Sequence, residues 1–95
     1  MKIKVKFFAL VRELTGKREE TVEVDDGSTV RILLDRLAEE YGAKFQEYLF
    51  DPGSTKPRGY LQFLVDGRNI VLMQGLDTVL KEGNSLAILP PVGGG

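Results

Sequence analysis

Ninety-five residues with 13 basic and 14 acidic side chains, 42% hydrophobic content and neither cysteine nor histidine bound one small domain with a single core. A formal charge of -1 gives no general electrostatic case for nucleic acid or an anionic membrane. The absence of Cys and His removes disulfides, thiolate nucleophiles, the usual transition-metal ligands and the commonest general base. What remains for chemistry is carboxylates, lysines and hydroxyls, which argues against an independent enzyme and fits a cytoplasmic protein. The N-terminal apolar run, Phe7 to Val11, is too short for a signal peptide or a membrane span.

The chain opens on strict alternation. Ile3, Val5, Phe7, Ala9 and Val11 fall on one side and Lys2, Lys4, Lys6, Phe8 and Leu10 on the other, which predicts a half-buried strand from Lys2 to Val11. A glycine turn ending at Gly16-Lys17 leads to a second strand, Glu20 to Val24, with Val22 and Val24 inward, and an antiparallel hairpin is the economical pairing. Adjacent carboxylates at Glu19-Glu20, Asp25-Asp26 and Glu39-Glu40 diverge in either a strand or a helix, so they read as solvated surface and no metal site is expected.

Thr29, with Ser28 as competitor, is the expected N-cap of the main helix. Val30, Leu33, Leu34, Leu37, Ala38 and Tyr41 recur at helical spacing, and Gly42 ends the helix. Ala43 to Phe50 offers a second helical turn. Asp51 to Gly59 is dense in turn formers and reads as a surface loop, with Lys56 and Arg58 as an alternative anion site. Tyr60 to Val65 and Arg68 to Met73 are expected strands joined by a tight Asp66-Gly67 turn. Leu76, Val79 and Leu80 suggest one apolar turn, and Ser85 to Leu89 is the last strand. The order is β-β-α-β-β-turn-β. The first and last strands carry the strongest apolar runs, so both belong near the centre of a mixed sheet, paired in parallel through a long right-handed crossover.

The end of the chain has a separate character. Pro90 and Pro91 stiffen the segment that leaves the sheet, and Gly93, Gly94 and Gly95 have no Cβ to obstruct passage through a narrow tunnel. Residues 1–90 therefore form the domain and 91–95 a flexible functional tail, which extends roughly 17 Å at about 3.3 Å per residue.

Phe7 to Gly16, the turn Val65 to Asn69, the segment Leu76 to Asn84 and the tail Pro90-Pro91-Val92-Gly93-Gly94 together resemble the MoaD family, the ubiquitin-like small subunit of molybdopterin synthase. The likeness spans nearly the whole chain. A third terminal glycine and a long Asp51 to Gly59 segment depart from the family pattern. The resemblance implies an α+β, ubiquitin-like β-grasp fold in which one main helix crosses a mixed sheet, and a sulfur carrier that donates sulfur in molybdenum or tungsten cofactor biosynthesis. An adenylyltransferase similar to MoeB would convert the Gly95 carboxylate into an acyl-adenylate using ATP and magnesium, the chain itself binding no cofactor. Sulfur would displace AMP, and the Gly95 thiocarboxylate would deliver it inside the large subunit of a heterotetrameric synthase. The rival reading is a ubiquitin-like modifier joined through Gly95 to substrate lysines.

Alternation alone supplies a docking face. Phe8, Leu10 and Leu89 point away from the helix-covered side, Ile70 is the expected fourth member, and Phe8 is the natural anchor. The competing expectation is that the segments at Phe45 or Leu76 fold back over them.

Overall fold

The computed structural model describes residues 1–91. Strand β1 (Lys2–Phe7) buries Ile3, Val5 and Phe7 and exposes Lys2, Lys4 and Lys6, as its alternation requires. It stops earlier than expected. Phe8 is still extended, but Ala9 turns left-handed at φ 50° and the chain winds into α1 (Ala9–Thr15). Gly16, at φ 74°, closes that helix, and its N–H donates to the Arg12 carbonyl at 2.8 Å. Val11 thus enters the core from a helix, and Ala9, expected inward, is exposed. A short run containing Leu10, Arg12, Glu13 and Leu14 favours helix, and period-2 spacing cannot distinguish the two structures over so few residues.

Strand β2 (Glu19–Glu23) pairs antiparallel with β1, Lys2↔Glu23 through Lys6↔Glu19. The main helix, α2 (Val30–Tyr41), begins where expected. Thr29 Oγ1 accepts from the Ile32 N–H at 3.3 Å, and Gly42, at φ 81°, ends it. Its buried stripe is Val30, Leu33, Leu34, Leu37 and Ala38. A short helix, α3 (Ala43–Leu49), follows and buries Phe45 and Leu49.

The 51–59 segment is a surface loop tied to its neighbours. Arg58 donates to the Glu47 carbonyl at 2.8 and 3.1 Å, Asp51 N–H donates to Lys56 O at 2.8 Å, and Phe50 bridges to Pro57. Strands β3 (Gln62–Val65) and β4 (Arg68–Asn69) flank the Asp66-Gly67 turn, where both residues have positive φ, 49° and 83°, the primed geometry that suits hairpin twist. Beyond β4 the expected strand to Met73 gives way to a 3₁₀ turn, Ile70–Leu72.

The last strand, β5 (Ser85–Leu89), lies between β1 and β3 in the order β2-β1-β5-β3-β4. It runs parallel to β1, Lys4↔Ser85 through Phe7↔Ile88, and antiparallel to β3. One face of the sheet is covered by α2 and α3, whose buried side chains join those of the strands in one core. This is the ubiquitin-like β-grasp fold.

Asp66 sets where β5 begins. Its carboxylate accepts from Ser85 N–H at 2.9 Å, Ser85 Oγ at 3.2 Å and Asn84 Nδ2 at 2.6 Å. The Ser85 N–H, helped by those side chains and by Lys6 and opposed by desolvation, holds the carboxyl below its ordinary value. A depressed folded-state pKa means the stabilisation is present above the unfolded value and lost as pH falls through the folded one. Asp66→Asn keeps the left-handed turn, and at this exposed site the loss of charge is expected to cost about 1 kcal/mol. That corresponds to a melting temperature lower by about 4–8 °C at neutral pH. The variant should also lose part of the acid dependence below about pH 4; thermal melts across pH check both.

Candidate functional site

The tail is launched from the middle of the sheet. Leu86 and Ile88 are fully buried beneath β5, while Ala87 and Leu89 are half-buried on its other side. The ladder stops at Leu89 because Pro90 and Pro91 have no N–H to donate. Pro90 is half-buried and Pro91 exposed. Gly93 and Gly94, expected to thread, and Gly95, the expected reactive terminus, lie outside the described residues, as does Val92.

The parallel ladder ends at Phe7 and Ile88, and the next residue of each segment, still-extended Phe8 and Leu89, follows on the open face. Ala87 and Leu64, themselves paired, continue that apolar surface along β5 and β3. Lys2, Lys4 and Lys6 border it on β1, Lys4 sharing an ion pair with Glu19 at 3.5 Å. The Arg12 guanidinium stands 5.8 Å from the Phe8 ring centroid, within cation–π range, and its Nε donates to the Phe7 carbonyl at 3.3 Å. Helix α1 thereby braces Phe8 from one side and leaves it half-buried.

The segments considered as covers stay on the inner side. Phe45 lies in the core with its ring 5.4 Å from Tyr41, which in turn meets Phe7 edge-on at 5.9 Å. Leu76 packs partly against the same core.

Two of the expected docking residues stand differently from the sequence reading. Ile70 is buried, 5% exposed. The Asn69 side chain accepts from Val71 N–H at 2.9 Å and starts the 3₁₀ turn, so Ile70 turns into the core while Val71 and Leu72 take the exposed positions. Leu10 is exposed, but on α1 rather than by strand alternation. Leu64 was not singled out, although its place between inward Phe63 and Val65 marks it as outward.

A second feature escapes sequence reading altogether. Tyr41 donates its hydroxyl to Glu20, and Lys17 sits 3.5 Å from the same carboxylate and 5.6 Å from the Tyr41 ring. Desolvation, then the bond to Glu20, pushes the Tyr41 hydroxyl up; desolvation and the neighbouring Glu20 charge raise Glu40. Burial opposes ionisation of Glu20, but the hydrogen bonds and Lys17 outweigh it and hold its carboxyl low. The cluster ties β2 to the end of α2 and does not converge on an ion. Among the described residues, no group of three or more carboxylates is placed to hold a metal, and no helix is long and apolar enough to cross a membrane.

The separation of core from exposed surface is measurable. Ile70→Ala is expected to destabilise the domain by about 3 kcal/mol, and Leu10→Ala by less than about 1 kcal/mol. Denaturant unfolding of the two variants checks this. A silent Ile70→Ala would return Ile70 to the surface.

Comparison with known proteins bears on this geometry directly. A family model described as the ThiS family matches residues 5–95. Small archaeal modifier protein 3 of Haloferax volcanii is 35% identical over 95 residues, spanning 100% of both chains. The molybdopterin synthase sulfur carrier subunit of Drosophila melanogaster is 33% identical over 94 residues, 98% of this chain and 90% of that one. Among solved structures, the crystal structure of SAMP1 from Haloferax volcanii has a TM-score of 0.86 at 27% identity and 100% coverage of each chain.

Proposed function

The chain belongs to the ThiS family of ubiquitin-like sulfur carriers, and on that premise we propose that it is the sulfur-donating small subunit of a molybdopterin synthase, with Gly95 as the reactive terminus. The observation that carries this reading is the likeness to a molybdopterin synthase sulfur carrier subunit across 98% of the chain. Support comes from the position of β5, which is gripped on both sides and sends Pro90 and Pro91 outward at the edge of an apolar surface.

The chemistry follows from what a carboxylate lacks. It is a poor electrophile, so an adenylyltransferase similar to MoeB, holding ATP and magnesium, joins the Gly95 carboxyl oxygen to the α-phosphate with loss of pyrophosphate. A sulfur nucleophile then takes the acyl carbon and AMP leaves. The resulting thiocarboxylate is the better nucleophile and transfers sulfur within the large subunit. This chain contributes the reactive atom, the Gly93-Gly94 tether and a docking face made of Phe8, Leu10, Leu64 and Leu89. Side-chain carboxylates are excluded from activation because a channel sized for glycine admits only the terminus.

Co-expression with such an adenylyltransferase and a sulfur source should give an intact mass in which one oxygen is replaced by sulfur; an unchanged mass would sink the carrier reading. Deleting Gly95, or adding one residue after it, moves the acyl carbon by about 3.5 Å where catalysis tolerates about 1 Å. Activation should be abolished with the fold intact, as read by pyrophosphate release and circular dichroism. Phe8→Ala should weaken the synthase complex by about 2 kcal/mol in a titration with the large subunit.

A second reading has its own support. The 35% identity to a small archaeal modifier protein runs the full length of both chains, and the same activated Gly95 is competent to form an isopeptide bond with a substrate lysine. A ladder of larger species on incubation with lysate and ATP would establish conjugation, alone or beside sulfur transfer.

A further inference from the structure

β2 stands at one edge of the sheet, and its ladder with β1 uses only half of its backbone. Phe7 N–H donates to Arg18 O at 2.8 Å and Val24 N–H to Met1 O at 2.9 Å. With the register Ile3↔Val22 and Val5↔Glu20, the even-numbered β2 residues form the hydrogen-bonded pairs. Glu19, Thr21 and Glu23 therefore direct their N–H and C=O groups outward. All three are exposed, and among the described residues no strand pairs with that side. Such a row of backbone groups is a template for an added strand.

Beside the C-terminal end of this edge, a groove of about 690 Å³ runs between β2, the turn after it and α2. Beside Glu23, four acidic residues line it, Asp25, Asp26, Asp35 and Glu39, against Arg36 and Met1, whose amine donates to the Val24 carbonyl at 2.6 Å. Val24 and the half-exposed Ile32 give it an apolar floor. Ser28 also lines the groove and is 5% exposed. Its N–H donates to the Asp25 carbonyl and its C=O accepts from Leu80 N–H, which fixes the turn that walls the groove.

We propose that this edge and groove take a lysine- or arginine-bearing extended segment of a partner protein, which adds a strand to the sheet along β2. Charge selects the occupant. An added strand presents side chains to both faces, to Glu19 and Glu23 on the open one, where Lys4 already pairs with Glu19 at 3.5 Å, and to Asp25, Asp26, Asp35 and Glu39 on the groove side, so a basic segment finds its match chiefly in the groove. A second copy of this chain is not. Antiparallel pairing of two β2 strands about Thr21 sets Glu19 opposite Glu23 twice, and like charges directly opposite destabilise a ladder. The groove lies at the end of the sheet where Lys2 meets Glu23, opposite the end where Phe7 meets Ile88 and the tail departs. It is thus separate from the surface assigned to the tail's partners.

The test uses the whole chain and a short fluorescent peptide of alternating lysine and valine, with the same peptide carrying glutamate for lysine as comparison. Binding should perturb the amide resonances of Glu19, Thr21 and Glu23 and slow their hydrogen exchange. Affinity by anisotropy should fall at least about tenfold for the glutamate peptide, and should fall for the lysine peptide as salt rises. Thr21→Pro removes one outward donor at an edge that tolerates proline and should weaken binding about tenfold. The double variant Asp35→Lys, Glu39→Lys, at exposed helix positions, should do the same, and it decides the matter if circular dichroism shows that Thr21→Pro does not fold. No saturable binding, equal affinity for the two peptides, shifts confined to the Phe8 and Leu89 face, or undiminished affinity of the folded double variant would each overturn the proposal.

Discussion

The parallel pairing of β1 with β5 is the constraint on which the rest of the molecule depends. Two strands that run side by side in the same direction cannot be joined by a hairpin, so the intervening chain must cross the sheet. That crossing places α2 over one face, and the apolar residues of both strands, Ile3, Val5, Phe7, Leu86 and Ile88, are all fully buried beneath it. Each such side chain contributes about 2 kcal/mol relative to exposure. The same pairing puts the end of β5 beside the end of β1, and the tail therefore emerges next to Phe8 and α1 rather than at a sheet edge.

The segment that leaves the sheet at Pro90 has a rigid point of departure. Hydrogen bonds to β1 and β3 hold β5 on both sides, and the Asp66 carboxylate fixes its first residue through Ser85 and Asn84. Rigid strand then changes to two prolines without ladder donors.

The outer surface is divided by chemistry. Helices cover the inner face, and the open face carries Phe8, Leu64, Ala87 and Leu89 beside a row of three lysines. At the β2 edge and along the exposed turns of α2 the balance reverses to carboxylates. A net charge of -1 conceals this separation. Composition reports the sum, whereas recognition depends on where each sign is placed.

Local rules determined much of this protein by themselves. Alternation in Lys2 to Phe7, the Thr29 cap and Gly42 stop of α2, the Asp66-Gly67 turn and the end of β5 before Pro90 each follow from the conformational preferences of a few consecutive residues. Even the central parallel pair was legible, because the two strongest apolar runs needed the most burial. Tertiary structure decided the rest. Whether Ala9 to Thr15 extends β1 or coils depends on a left-handed turn at Ala9, which period-2 spacing does not encode. Ile70 is core because the Asn69 side chain caps a turn and aims it inward. Tyr41 meets Glu20 and Lys17, and the β2 edge meets the acidic face of α2, only once the sheet has been assembled. Such pairings depend on distances between residues far apart in the chain, and local spacing carries no record of them.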